Sequence, residues 1–474
     1  MTDAPSLALA DRERALNHAA ELILASWRSF DRARPGQPAL DVRDRTLLSR
    51  SMPETGEDAI AALDRAAVML DRSLSPARPR YLAYVGSSGL EIGVLGDALA
   101  AAHDVNVAVA AGGADLIEAQ AVRWVGEFVG FGTPIDGLLA PGGTIANLTA
   151  LTAAREQAIP GFRHRGAEGR TLAIYCSREA HYSVRRAAEV LGVGGDNVRA
   201  IALDAWRRMD VAACDAAVAA DLAAGIVPVA IVATAGTTLT GAVDDLDGLA
   251  DVARRRGVWL HVDGAYGLPA AATVAAPHFR GLDRVDSATV DAHKWLYVPK
   301  ACSVLLVRDR TALERTFSHQ EDYIPHADEP GGAAELHAVD RTLEYSRPLR
   351  ALKLWLAFRV HGATAIRAAI ERNLAQARLL EQLIDAHPEL ELLSAAPLSA
   401  VCFRHRWCDG ENAGARTARL TDAIRRDGRL LLAAATIDGR SCLRACVVNF
   451  RTTDDDVRAT VDVVVEIAQQ LRRG

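Results

Sequence analysis

The chain has 474 residues, of which 50% are hydrophobic and 24% are charged, a composition typical of a globular protein with two or three domains. Its formal net charge of −6 argues against a protein that binds duplex nucleic acid through a basic face. The cysteines are scattered and include no CxxC pair, which argues against disulfides and a zinc site and favours a cytoplasmic location. Neither a signal peptide nor a membrane-spanning stretch is recognisable, so no membrane association is expected.

The N-terminal part of the chain is predicted to be helical. Residues 16–27 and 60–70 each carry apolar side chains at helical spacing. Such helices cannot bury their apolar stripes alone, so they must pack on the rest of the protein or on another subunit. We therefore assign residues 1–74 to an N-terminal helical dimerisation segment.

Between residues 75 and 348, short apolar runs alternate with helical segments. The runs are TLAIYC (171–176), VPVAIVATA (227–235), GVWLHVD (257–263), DSATVD (286–291) and CSVLLVRD (302–309). Strands that are apolar on both faces belong to the middle of a sheet that helices cover. The pattern predicts a large α/β domain with a mostly parallel central sheet.

Residues 349–474 are predicted to form a small α+β domain. A long helix is expected near residues 363–386. The later runs LLLAAATID and CLRACVVNF meet around Asp438 and Gly439, which is a strong signal for a β-hairpin. A final helix is expected from about residue 454 to residue 471.

Polar side chains follow four of the predicted strands. They are an imidazole, two hydroxyls, a carboxylate and an amine, on His181, Thr237, Thr238, Asp263 and Lys294. Taken singly, such residues are most often helix caps, turn formers or surface charges. In open α/β sheets, however, ligands bind outside the carboxyl ends of the strands, so the joint placement predicts one site.

Residues 140–147 read APGGTIAN and lead into a helical run. Glycines at a helix start expose backbone N–H groups, and the helix dipole adds positive charge, so this segment suits a phosphate. It matches neither of the glycine-rich patterns that bind dinucleotides and nucleoside triphosphates. A cofactor with a phosphate, an aldehyde and a pyridine nitrogen would use all these groups together, which indicates pyridoxal 5′-phosphate (PLP).

At these residues the sequence resembles the group II PLP-dependent amino-acid decarboxylases, a fold type I family that includes aromatic-L-amino-acid, histidine and glutamate decarboxylases. The matching stretches include DGLLAPGGTIANLTALTAAR, SREAHYSVRRAAEVLG, VATAGTTLTGAVDDL, WLHVDGAYG and DSATVDAHKWLYVPK, in family order. The pair HVDxAYG and DAHKW is highly specific. The resemblance implies decarboxylation of an L-amino acid to the amine and CO2, in a homodimer with its active site at the interface.

The resemblance also implies roles for single residues. Lys294 matches the Schiff-base lysine, Asp263 the partner of the pyridine nitrogen, and His181 the imidazole that stacks on the cofactor and faces the substrate carboxylate. The other implied cofactor contacts are Gly143, Thr144, Thr238, Ala265 and His293, and the implied substrate contacts are Arg444, Tyr84 and Val85.

Tyr323 lies in the stretch RTFSHQEDYIPHADEPGGAAE, which has neither a helix nor a strand pattern and is predicted to be a mobile lid. It matches the lid tyrosine that protonates the product carbon in family decarboxylases. Relatives with phenylalanine there behave as aldehyde synthases, so the tyrosine favours simple decarboxylation. An exposed loop tyrosine without a role is the alternative.

Two features depart from the family pattern. Asp291 stands where aromatic members often have an asparagine near the phosphate, and we assign it no phosphate contact because two anions repel. Val85 and Gly86 stand where aromatic-specific members carry bulky residues. We expect an aromatic or hydrophobic substrate, since residues 80–87 supply few cations, but glutamate or another acidic amino acid stays open. Aldehyde synthesis, transamination, carbon–carbon cleavage and a non-catalytic PLP-binding protein also stay open.

Overall fold

The computed structural model describes residues 6–31, 41–86, 88–109, 111–319 and 338–473. The α-helices are α1 (Leu9–Phe30), α2 (Val42–Leu48), α3 (Ala59–Asp71), α4 (Glu91–His103), α5 (Gly113–Val129), α6 (Gly143–Ala158), α7 (Phe162–Arg165), α8 (Ser183–Val190), α9 (Val211–Ala223), α10 (Leu246–Arg256), α11 (Ala292–Trp295), α12 (Arg310–Phe317), α13 (Ala351–Ala386), α14 (Ala413–Asp427) and α15 (Asp454–Arg473). The strands are β1 (Asp136–Ala140), β2 (Leu172–Ser177), β3 (Val198–Ile201), β4 (Val227–Thr234), β5 (Trp259–Asp263), β6 (Ser287–Val290), β7 (Ser303–Val307), β8 (Leu390–Ser394), β9 (Ala400–His405), β10 (Ala433–Ile437) and β11 (Arg440–Cys446).

A seven-stranded sheet forms the centre of the large α/β part, in the order β1-β7-β6-β5-β4-β2-β3. Strands β3, β2, β4, β5 and β6 run parallel to one another, whereas β7 is antiparallel to both β6 and β1. Every residue of β5 and β6 is buried, as expected for strands that helices cover on both faces. The predicted, mostly parallel α/β sheet is confirmed.

Two strands of this sheet were not predicted. Strand β1 has five residues and contains Gly137, where a Cβ would lie 1.9 Å from the Leu305 carbonyl oxygen of β7. The close approach of the two backbones requires glycine, and glycine weakens the apolar signal that marks a strand. Strand β3 pairs only with β2, and three of its four residues are not fully buried, so it lacks the apolar run of an inner strand.

The long helix α13 packs against α4, α5 and α15. It begins at Ala351, twelve residues earlier than the predicted start at 363, and Gly362 interrupts it with φ 74° and ψ 160°. The sequence pattern therefore found only the part that follows this break. The predicted end at residue 386 is confirmed.

The C-terminal part contains an antiparallel sheet in the order β10-β11-β9-β8, with α13, α14 and α15 packed near it. Asp438 and Gly439 connect β10 to β11 and both have positive φ, 48° and 78°. Two positive φ values suit the type I′ turns that close short hairpins, and the predicted hairpin is confirmed. The predicted last helix is confirmed as α15.

The predicted N-terminal helices are confirmed as α1 and α3, which contact each other. Neither contains a fully buried residue, and Leu9, Leu16 and Leu70 are each 71% exposed. The apolar stripes of these two helices are thus largely uncovered by the rest of the same chain. In the part of the chain that the structure describes, no helix is long and apolar enough to cross a membrane.

Candidate active site

A cavity of about 310 Å³ lies at the carboxyl ends of β4, β5 and β6, beside the start of α6. All eight residues predicted to contact the cofactor line it: Gly143, Thr144, His181, Thr238, Asp263, Ala265, His293 and Lys294. They come from five separate stretches of the chain, and the parallel strands bring them to one edge of the sheet.

The start of α6 supplies the candidate phosphate site. Gly142 precedes the helix, and no side chain caps the first turn. At Gly143 a Cβ would lie 3.0 Å from both carboxylate oxygens of Asp291 and 3.2 Å from Ala265 Cβ, so a larger residue would crowd this corner of the cavity. Uncapped N–H groups and the dipole of a sixteen-residue helix attract an anion, and they fit a phosphate group.

Lys294 forms an ion pair with Asp291, with 2.9 Å between Nζ and Oδ2. Asp291 is 3% exposed, accepts a short hydrogen bond from the Ser303 hydroxyl, and lies 3.8 Å from Nε2 of His293. Burial alone would raise the pKa of Asp291, but Lys294 and His293 outweigh it and hold that pKa below its ordinary value.

The same pair keeps Lys294 charged. Burial alone would lower the pKa of Lys294, but the carboxylates of Asp291 and Asp263 outweigh it and raise that pKa. An amine must be unprotonated to attack an aldehyde, and the ion pair with Asp291 favours the protonated form of Lys294. Asp291 is therefore a site residue, although the sequence assigned it no role.

Asp263 ends β5 and is 5% exposed. Its Oδ2 accepts a hydrogen bond of 2.9 Å from the Asn147 amide, and its Oδ1 accepts one of 3.2 Å from the Ala265 backbone N–H. Among the described residues no cation forms a salt bridge with Asp263. The carboxylate is held by neutral donors, so its charge remains available for a protonated pyridine nitrogen.

His181 follows β2 and is fixed by Ser183. Its Nδ1 lies 2.9 Å from the Ser183 hydroxyl and 3.3 Å from the Ser183 backbone N–H. A backbone N–H only donates, so Nδ1 is the acceptor and a neutral His181 carries its proton on Nε2. Burial lowers the pKa of His181, although Asp263 opposes the shift. A neutral aromatic ring of this kind fits against the face of a pyridine ring.

The cavity thus combines an amine, a carboxylate, an imidazole and an anion-binding helix start, and these groups fit PLP. A family model described as "Pyridoxal-dependent decarboxylase conserved domain" matches residues 43–406. The chain belongs to this family of pyridoxal-dependent decarboxylases. It is therefore a PLP-dependent carboxy-lyase that acts on an amino acid, and the family predicted from the sequence motifs is confirmed.

Relatives of this decarboxylase cover nearly its whole length. An aromatic-L-amino-acid decarboxylase of Bacillus atrophaeus is 31% identical over 438 residues, 90% of this chain and 89% of the relative. An L-2,4-diaminobutyrate decarboxylase of Rhizobium meliloti (strain 1021) is 33% identical over 364 residues, 76% of this chain and 71% of the relative. The crystal structure of Oryza sativa TDC with PLP and tryptamine has a TM-score of 0.92 at 26% identity, covering 99% of this chain and 100% of that one.

The predicted substrate contacts of the decarboxylase lie outside the lining of the cavity. The terminal nitrogens of Arg444 donate hydrogen bonds to the carbonyl oxygens of Thr238 and Ala83, the latter at 2.6 Å. Tyr84 is 60% exposed, and Val85 is half-buried against the large hydrophobic core. Tyr323 lies outside the described residues, so its predicted position in a lid stays a prediction.

Three polar residues of the decarboxylase site were missed in the sequence: Asn147, Ser183 and His261. Asn147 lines the cavity and donates to Asp263, and Ser183 lines it and contacts His181. His261 lies behind them, completely buried, with its Nε2 3.0 Å from Asn147 Oδ1. Spacing carried a signal, because a residue two positions from another on a strand points to the same face, and His261 precedes Asp263 by two.

Proposed function

We propose that this decarboxylase converts an aromatic or hydrophobic L-amino acid to its amine and CO2. The observation that carries the proposal is the charge of the cavity lining. Among the described lining residues the basic side chains are Lys294, His181 and His293, with no arginine. Burial lowers the pKa of both histidines, so Lys294 is the main cation of the lining. A substrate with a carboxylate in its side chain needs a further cation, and Arg444 already donates to two backbone carbonyls.

We assign the site residues as follows. Bound PLP supplies an electron sink for the pair released when a Cα–carboxylate bond breaks. Lys294 anchors the cofactor through its amine, and Asp263 holds a proton at the ring nitrogen. Gly143 and Thr144, at the uncapped start of α6, would hold the phosphate through backbone N–H groups, and Thr238, Ala265 and His293 would complete the walls of the site.

Two further residues would act on the substrate. His181 would cover the cofactor face and donate its Nε2–H to the substrate carboxylate. Tyr323 would protonate Cα after CO2 has left, and the support for this role is its sequence match alone. Arg444, Tyr84 and Val85 would shape the wall near the substrate side chain.

The relatives support more than one substrate class. The Bacillus atrophaeus relative is named for aromatic amino acids, and the Oryza sativa structure contains tryptamine. The Rhizobium meliloti relative, of similar identity, is named for a diamino acid with a cationic side chain. An acidic substrate is the alternative that the cavity charge disfavours.

A panel of amino acids tests the proposal. The enzyme loaded with PLP is given tryptophan, tyrosine, phenylalanine, leucine, glutamate and 2,4-diaminobutyrate, and the release of CO2 and amine is measured for each. The Lys294→Ala variant is the blank and should release neither. Faster turnover of an aromatic or aliphatic substrate is expected. Preference for glutamate or diaminobutyrate would overturn the substrate class, and a keto acid in place of amine and CO2 would indicate transamination.

We propose a homodimer in which a second copy covers α1 and α3. The support is the exposure of the apolar residues on these two helices. We also propose that residues 1–74, 75–348 and 349–474 are three structural units. In support, the cores around the central sheet and around the C-terminal sheet form separate clusters.

We propose a reducing, cytoplasmic environment for this enzyme. All seven cysteines are free and buried. Burial raises the pKa of Cys176 and Cys302 to about 12, which keeps both thiols protonated and unreactive. Detection of the enzyme in the soluble cytoplasmic fraction is the expected result of cell fractionation.

A further inference from the structure

A buried hydrogen-bond network runs behind the cavity, between the sheet and α6. Trp259 Nε1 lies 2.8 Å from Ser287 Oγ, and Ser287 Oγ lies 2.8 Å from His261 Nδ1. His261 Nε2 lies 3.0 Å from Asn147 Oδ1. Trp259, His261 and Asp263 alternate along β5, so all three side chains lie on the same face of the sheet.

The donors and acceptors of this network fit one arrangement of protons. An indole N–H only donates, so Ser287 accepts from Trp259. A carboxylate only accepts, so Asn147 donates its NH2 to Asp263 and turns its carbonyl oxygen to His261 Nε2. Nδ1 of a neutral His261 is then the acceptor, and the Ser287 hydroxyl donates to it. His261 then carries its proton on Nε2 and donates it to the carbonyl oxygen of Asn147. Burial lowers the pKa of His261 to about 4, so the ring is neutral at neutral pH, as this arrangement requires.

Asn147 connects His261 to two residues that line the cavity, Asp263 and Ser183. Because its carbonyl oxygen faces His261, its NH2 group must face Asp263 Oδ2 at 2.9 Å and Ser183 Oγ at 3.1 Å. The Ser183 hydroxyl in turn donates a hydrogen bond to Nδ1 of His181. A flipped Asn147 amide would turn a carbonyl oxygen towards the Asp263 carboxylate, and the two would repel.

We propose that His261 is a positioning residue that orients Asn147 and thereby sets both Asp263 and His181 for the cofactor. The inference rests on the proposed roles of Asp263 and His181. Two neutral donors hold the Asp263 carboxylate in place, and a carboxylate beside the ring nitrogen would keep a proton on that nitrogen. Without the His261 N–H, the Asn147 carbonyl oxygen loses its one hydrogen bond among the described residues, and the orientation of the amide is held less firmly.

The experiment uses PLP labelled with 15N at the ring nitrogen and bound to the full-length enzyme. The 15N shift reports protonation of that nitrogen independently of turnover. In His261→Leu the resonance is expected to move towards the position of an unprotonated pyridine, with PLP bound roughly tenfold more weakly. His261→Gln retains an amide N–H near the position of Nε2, so it should restore most of both properties.

A matched control separates positioning from packing. Thr289→Val removes a buried hydroxyl that makes only a long contact with His261 Nε2, at 3.5 Å, and it keeps the side-chain volume nearly constant. The closer contacts of His261 with Ser287 and Asn147 are retained in this variant. It should leave the 15N shift as in the wild type. If His261→Leu does not fold, Ser287→Ala is tested in its place. This variant removes the hydroxyl that donates to His261 Nδ1 and fixes the tautomer of the ring. It should shift the 15N resonance in the same direction as His261→Leu.

The outcomes distinguish this inference from the proposed function. A wild-type 15N shift in a folded His261→Leu enzyme, or in Ser287→Ala when His261→Leu fails to fold, overturns the positioning role. An equal shift in Thr289→Val also overturns it, because general packing would then explain the effect. If the wild-type ring nitrogen is itself unprotonated, or Lys294→Ala binds PLP covalently as before, the proposed roles of Asp263 or Lys294 fail instead.

Discussion

At the scale of single residues, the lysine of the site has a charged partner, because Lys294 forms an ion pair with the Asp291 carboxylate. The carboxylate stabilises the ammonium form, and Ser303 and His293 hold the carboxylate in place. The amine that must bond to PLP is therefore kept protonated to a higher pH than an ordinary lysine.

Asp291→Asn should accelerate PLP binding at neutral pH. Because the pKa of Lys294 is raised, capture by the wild type should speed up only as pH rises towards that value. The variant lacks this carboxylate, so its rate of PLP binding should begin to increase at a lower pH. Asp263, His181 and Cys446 also face Lys294 and are unchanged. The rate of appearance of the visible absorption of lysine-bound PLP, followed from pH 6 to 9, measures the effect.

The control for this change is Asp286→Asn. Asp286 flanks the other end of β6 and accepts a hydrogen bond from the Leu260 backbone N–H, away from the cavity. Its substitution should leave the pH profile of PLP capture as in the wild type. The same profile in Asp291→Asn and in the wild type would contradict the importance of the ion pair.

Tyr323→Phe should divert part of the product from amine to aldehyde, because the proposed proton donor to Cα is lost. Product analysis by mass spectrometry measures the ratio, and Tyr345→Phe, at a half-exposed tyrosine 47% accessible to solvent, is the control. Unchanged amine output in Tyr323→Phe would remove the proposed role of this residue.

The residues of the site were predictable where one stretch of sequence carries the chemistry. Asp263 ends β5 and Lys294 follows β6, each in a specific motif, so their meeting follows from a parallel sheet. The links made by Asn147, Ser183 and His261 depend on how α6 packs against the sheet, which local spacing does not define. The ion pair of Asp291 could not be predicted for another reason, because it depends on the turn of the chain from β6 into α11, which brings Lys294 back over Asp291.

At the scale of elements, the inner strands and the long helices were predicted from the sequence. The two edge strands of the large sheet and the break within α13 were not. Strands β4 to β7 carry continuous apolar runs, whereas β1 depends on the contact of Gly137 with Leu305. The first part of α13 was missed because Gly362 breaks the helical repeat. In each case the missing information is a tertiary contact or a backbone conformation.

Gly362→Ala should destabilise the enzyme by about 1–3 kcal/mol, because φ 74° with ψ 160° is open only to glycine. No atom lies within 4 Å of the position that a Cβ would take, so backbone strain is the sole expected cost. Gly113→Ala is the matched control, since Gly113 starts α5, has ordinary φ and also has open space. Thermal unfolding measures both variants, and an unchanged Tm for Gly362→Ala would contradict the prediction.

At the scale of the whole molecule, α1 and α3 carry apolar side chains that the described part of the same chain leaves largely exposed. Leu16→Asp should weaken self-association, because it places a charge on the stripe that a second copy would bury. Leu222→Asp, at a leucine 43% exposed on α9, is the control. Light scattering after gel filtration measures the mass of each variant over a range of concentrations. A wild-type enzyme that is fully active as a monomer would contradict the dimer.

Arg444 joins stretches that are far apart in the sequence. It lies on β11, and its guanidinium holds the carbonyl oxygens of Ala83 and Thr238. Arg444 therefore connects the segment that contains Tyr84 and Val85 to Thr238, which lines the cofactor cavity. Insertions or deletions in that segment would displace both walls together, so natural variation of substrate range is expected to proceed by exchange of side chains at a constant backbone length.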